Sequence, residues 1–148
     1  MTYNLRKMVN KKTRKLVSER AYGCCEYCMS QENYATQLFS VEHIFPLALG
    51  GNSDLENLAL SCQGCNNFKF TKLTAFDKET NDLVPIFNPR KDVWTEHFRW
   101  NERFTVIIGL TPIGRVTVQT LRLNRNILIN QRIVFRKYGI HPPKQSLL

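Results

Sequence analysis

The chain has 148 residues, enough for one domain around one apolar core. Hydrophobic residues make up 43%, which excludes disorder throughout; no stretch nears the ~20 apolar residues of a membrane span, the longest apolar run being Val106–Leu110. Lys and Arg number 21 against 12 Asp and Glu, and the resulting net charge of +9 attracts polyanions, most simply nucleic acid.

The first elements are basic and short. Arg6, Lys7, Lys11, Lys12, Arg14, Lys15 and Arg20 crowd the N-terminus, which has no apolar h-region and so does not read as a secretory signal. Leu16, Val17 and Ala21 share a helical face behind a capping Thr13, which predicts a helix over 13–21 ended by Gly23. Cys25 to Cys28 is a tight turn. The alternation from Leu38 to Ile44 predicts a strand stopped by Pro46, and Leu49 to Asp54 is rich in turn formers. Leu58-Ala59-Leu60 is a second strand, and Cys65 to Lys72 a short helix.

Further along, Pro85, Pro89, Asn81-Asp82 and Asn88 predict irregular structure over 74–92. An aromatic block follows, with Trp94, Phe98 and Trp100 as core candidates around a packed His97. Phe104 to Leu110 is a β-branched strand candidate. Thr111-Pro112 reads as an N-cap with proline at the first helical position, so a helix is favoured there, although Val116-Thr117-Val118 also suits a strand. Asn124 is the expected cap of a last helix to Tyr138, closed by Gly139 and Pro142-Pro143. Arg122, Arg125, Arg132 and Arg136 fall at near-helical spacings, a possible basic stripe beside a polyanion.

The strongest local signal is the pair of Cys-x-x-Cys motifs, Cys25/Cys28 and Cys62/Cys65. With no export signal the cysteines are expected to be reduced, in a cytoplasmic protein, and reduced pairs at this spacing are metal ligands rather than disulfides. Four thiolates suit Zn²⁺ and leave no open coordination position, so such a zinc is structural. Cys24 is the spare, able to replace Cys25 but expected to be a buried thiol.

Between and just after the cysteines stand Glu42-His43-Ile44-x-Pro46, Gly50-Gly51, Asp54-Leu55-x-Asn57-Leu58, Cys65-Asn66 and Lys69. Together with the cysteine pairs they resemble the HNH endonuclease family, the zinc-bearing branch of the ββα-metal nucleases, from Cys25 to Lys69. The aromatic tail from Phe87 to Trp100, Gly114-Arg115 and Leu123-Asn124-Arg125 also resemble an extension found in one bacterial group of HNH proteins. The resemblance implies an α+β fold: a small zinc-stabilised ββα-metal core over 22–73, an N-terminal helix, and a C-terminal strand and helix extension over 74–148, in a single domain.

It also implies roles. His43 would be the general base, and Asn57 would hold the catalytic loop through backbone hydrogen bonds. Glu42 and Asn66 would bind a catalytic divalent ion, Mg²⁺ or Mn²⁺, since both offer hard oxygen ligands. Glu42 is one methylene longer than the Asp often found at that position, and Asn66 stands where His is often found. Lys69 and Lys72, with Arg14 and Lys15 on the first helix, are candidate DNA contacts. The expected function is metal-dependent endonucleolytic cleavage of DNA, most simply double-stranded. The alternative is an inactive zinc-stabilised nucleic-acid-binding module. Because neighbouring strand residues point to opposite faces, Glu42 and His43 need a local twist to share a pocket. Monomer and homodimer are both open.

Overall fold

The computed structural model describes residues 9–147; Arg6 and Lys7 of the basic N-terminal run lie outside them. Helix α1 spans Lys11–Arg20, two residues earlier than the predicted start. The cap is Asn10, whose side chain accepts from Thr13 N at 2.8 Å; Thr13 is the capped residue and not the cap. Val17 is the one fully buried apolar residue of α1, while Arg20 donates to the carbonyls of Leu55 (2.9 Å) and Leu58 (2.6 Å), tying the helix to the core. Tyr22 (φ 53°) and Gly23 (φ 67°) then reverse the chain into the first cysteine turn.

Strand β1 (Ser40–His43) pairs antiparallel with β2 (Leu58–Ser61), with Glu42 opposite Ala59 and His43 opposite Leu58. All four residues of β2 are buried. Helix α2 (Gln63–Lys69) follows at once, and its N-cap is a metal-ligand candidate: Cys62 Sγ accepts from Cys65 N at 3.4 Å. This β–loop–β–α unit lies on α1 at one side and on the C-terminal half at the other.

The prediction of irregular structure over 74–92 is corrected. Strands β3 (Thr74–Asp77) and β4 (Asp82–Pro85) form a hairpin. The turn formers that suggested irregular structure make its turn: Thr80 N donates to Asp77 Oδ2, Asn81 N to Asp77 O, and Asn81 takes φ 61°. Buried Asp77 is also held by both arms of Arg115, whose charge keeps its carboxyl far below the usual range.

Helix α3 (Trp94–His97) leads into β5 (Phe98–Trp100), which pairs with β6 (Ile107–Gly109). Helix α4 is Pro112–Thr120, with Thr111 as its cap, so the strand alternative falls. Helix α5 is Asn126–Lys137, and Asn124 does not cap it. Its amide instead completes β6, accepting from Ile107 N (2.7 Å) and donating to Ile107 O (2.8 Å), because one amide offers the donor and the acceptor that a strand edge leaves unpaired.

Both halves share one core. Trp94 packs on Phe98 and Trp100 with ring centroids 5.2 and 5.8 Å apart, Phe87 meets Phe98 and Tyr27, and the Trp94 indole donates to Tyr27 O at 3.0 Å. Leu58 and Leu60 from β2 and Leu121 and Leu123 from after α4 belong to the same buried cluster. His97 is packed as expected, beside Phe87, with Nδ1 2.6 Å from Thr111 Oγ1. Among the described residues no helix is long and apolar enough to cross a membrane.

Candidate functional site

The four cysteines converge. Their sulfurs all lie within 4.8 Å of one another and all four residues are buried, with Cys28 Sγ and Cys62 Sγ 3.7 Å apart. A tetrahedral Zn²⁺ with bonds of about 2.3 Å sets its sulfurs about 3.8 Å apart. Both the donor set and its spacing therefore fit zinc. Cys24 is not part of the cluster: it is buried beside the Tyr22 carbonyl, and burial pushes its thiol up to about 11. Arg125, expected on a basic stripe, is instead turned onto the sulfurs of Cys62 and Cys65. Arg132 is buried beneath carbonyls and Arg136 is spent on Arg103 O, so no free stripe of these arginines exists.

Glu42 and His43 take opposite sides of β1, as the pleat requires. Glu42 is 5% exposed and faces α2 and the cysteine turn. Its Oε2 accepts from the Tyr27 hydroxyl at 2.5 Å, and its Oε1 lies 2.5 Å from Lys69 Nζ. The Lys69 ammonium is thus a close, buried ion-pair partner of that oxygen. Burial raises the Glu42 pKa, with Lys69 and Tyr27 opposing. Asn66 sits on the same face: Ser40, two residues before Glu42 on β1, pairs with Asn66 Nδ2 (3.4 Å) and with Gln63 (3.3 Å), so residues 63, 66 and 69 of α2 form one stripe over Ser40 and Glu42.

His43 projects the other way, into the loop that joins the strands. Its Nε2 pairs with Ser53 Oγ at 2.9 Å, and burial lowers its pKa, so the ring is neutral at pH 7. Among the described residues no hydrogen bond joins His43 to Glu42 or Asn66. The loop under the ring is closely built. Asn57 accepts from Phe45 N (2.8 Å) and donates to Phe45 O (3.0 Å) and Asn52 O (2.7 Å). Gly51 N donates to Pro46 O, and a Cβ at Gly51 would collide with the Phe45 carbonyl.

A hard divalent ion finds suitable donors in the Glu42 carboxylate and the Asn66 amide oxygen. An ion on Glu42 Oε1 would have to displace the Lys69 ammonium, 2.5 Å away.

The candidate DNA contacts need correction. Lys69 is 2% exposed and donates to Ile44 O at 3.0 Å; it is an internal partner of Glu42 and not a phosphate contact. Arg14 turns its fork inward to Glu32 and the Phe39 carbonyl. Lys15 is at the surface beside Glu19, and Lys72 is exposed. Lys72 lines a cleft of about 290 Å³ between the two halves, with Ile44, Ile86, Phe87, Ile113 and Lys91. Tyr27, Ser53 and Lys91 were missed by sequence reasoning, since their places beside Glu42, beside His43 and at the cleft are set by folding and not by a spacing motif.

A sulfur-clamped ββα unit, an imidazole at the end of β1 and oxygen donors facing α2 make up the candidate site. Residues 25–79 match the family described as HNH endonuclease. No curated protein and no solved structure gives a significant match.

Proposed function

We propose that the protein is a metal-dependent DNA endonuclease of the HNH type with a structural zinc on Cys25, Cys28, Cys62 and Cys65. The observation that carries this reading is His43: an imidazole held by Ser53 above a loop clamped by Asn57, within the family segment. Its unprotonated ring nitrogen takes a proton from water. The hydroxide oxygen bonds to phosphorus as the bond to the 3′ oxygen breaks. Asn57 positions His43 and touches no reacting atom. Glu42 and Asn66 would hold the Mg²⁺ or Mn²⁺ ion, which when bound supplies positive charge to the phosphate oxygens; because His43 lies on the other side of β1, this reading requires its ring to leave Ser53 and turn toward them. Double-stranded DNA fits the net charge of +9, and its backbone would run past Lys72 and Lys91 at the cleft. Zinc thiolates belong in a reducing compartment, the cytoplasm.

One observation favours the second reading, a nucleic-acid-binding module without cleavage: Lys69 and Tyr27 already engage Glu42. Purified protein and His43→Ala, incubated with supercoiled plasmid in Mg²⁺, Mn²⁺ or EDTA, decide the matter. Metal-dependent nicking lost in the variant supports the enzyme. Equal plasmid binding by both proteins without nicking supports the module.

A further inference from the structure

The C-terminal extension reaches the sulfur cluster at both of its cysteine pairs. Arg125 Nη2 donates to Cys62 Sγ at 3.4 Å, and Nη1 approaches Cys65 Sγ at 3.7 Å. The same Nη1 donates to the carbonyls of Leu121 (3.4 Å) and Arg122 (3.1 Å), so the fork ties the sulfurs to the turn between α4 and α5. Gly64, between the two cysteines of α2, is what admits it: a Cβ there would collide with the guanidinium. Phe68, one turn on, lies under the group, with its ring centroid 5.7 Å from Arg125 Cζ. At the other pair, Arg132 of α5 is 4% exposed and donates to Leu123 O (2.7 Å) and Cys28 O (3.5 Å).

Four thiolates around one Zn²⁺ leave two net negative charges in a buried place, where uncompensated charge is costly. Among the described residues the one guanidinium that donates to the sulfurs is that of Arg125, from beyond residue 79. We propose that Arg125 is a positioning residue of the metal site, so that zinc retention and docking of α5 are a single linked equilibrium. This inference rests on the reading that the four cysteines hold zinc. The extension then completes the shell around the sulfur ligands, which orients them and lowers the cost of their charge. Linkage makes the effect reciprocal, so zinc removal loosens α5 and loosening α5 weakens zinc.

The test measures zinc affinity of the full chain by competition with a chromophoric chelator, and amide exchange along Asn126–Lys137. Arg125→Met should weaken zinc by about 10–100-fold, the usual cost of losing a partner of a metal ligand. Arg125→Lys, with charge but no fork, should fall between. Arg122→Met is the control: Arg122 lies 4.7 Å over the same Phe68 ring and makes no sulfur contact, so its loss should leave zinc affinity at the wild-type value. Zinc removal from the wild type should raise exchange in α5. If Arg125→Met does not fold, Gly64→Ala, which pushes the guanidinium off the sulfurs, should show the same loss. Wild-type affinity in Arg125→Met, an equal loss in Arg122→Met, or unchanged α5 exchange without metal would overturn the proposal. A wild type that takes up no zinc would remove the zinc reading itself, a result distinct from each of these.

Discussion

The two halves of the molecule solve the same problem by different physics. The segment from Cys25 to Lys69 has two four-residue strands and a seven-residue helix, too little apolar mass for a core of its own, and it converges on four sulfurs. The C-terminal half converges on stacked aromatic rings, Phe87, Trp94, Phe98 and Trp100, and on helices with conventional apolar faces. The contrast teaches that the candidate site sits on the half least able to fold alone. Its imidazole and oxygen donors are held by the cysteine cluster and by hydrogen bonds, while the larger half supplies the packing.

The contrast can be broken at the sulfurs first. Cys62→Ser, or chelation of the metal, should abolish folding of the ββα unit, because structural zinc contributes about 10–16 kcal/mol of apparent binding free energy against a total stability of about 5–15. Loss of the cooperative thermal transition by circular dichroism checks it; a variant melting as the wild type would refute a zinc-dependent core.

His43→Ala should act on chemistry alone. Nicking should fall by about 10²–10⁴-fold, the range for a general base, with the melting temperature close to that of the wild type.

Lys69→Met should act on stability. It leaves Glu42 charged and buried without its partner, which costs about 3–5 kcal/mol for a pair whose side chains are 2% and 4% exposed. The sign of its pH dependence follows. Glu42 already has its folded pKa raised by burial, and losing Lys69 raises it further. The fold then prefers the protonated acid, so that stability is lost as pH rises through the folded value and regained as pH falls. Urea unfolding of the variant at pH 8 and pH 6 should show the smaller deficit at pH 6; a deficit independent of pH would exclude Glu42 as its source.

Trp94→Ala, in the opposite half, should cost a comparable ~3–5 kcal/mol by cavity formation, with no such pH dependence and no selective loss of zinc. The smallest effect concerns rate. Burial disfavours the His43 imidazolium, so the ring stays an unprotonated base to a lower pH than free histidine. The acid limb of nicking should therefore have its midpoint below 6.5, measured in zinc-loaded protein with saturating Mn²⁺.

Much of the candidate site was legible because it depends on local spacing. Two residues between cysteines bring their sulfurs together in a turn or on a helix, and the alternation around Val41 sets Glu42 and His43 on opposite faces before any fold is known. Asn57 could be placed on the loop because an asparagine side chain satisfies nearby backbone. Long-range partners were not legible. Arg125 is one arginine among several until α2 lies beside it, and Lys69 looks like a surface charge until β1 packs over its helix. The β3–β4 hairpin was hidden because its polar turn and Pro85 carry the same signals as an irregular loop.

The amino-acid sequence alone determined the four converging cysteines, the basic charge and the order β–loop–β–α, since these follow from residue type and short separation. Tertiary structure decided which charges meet: Lys69 with Glu42, Arg125 with the cysteines, and the imidazole of His43 with Ser53 rather than with the oxygen donors. Those pairings depend on how segments far apart in the chain are packed, and packing is set by the whole core.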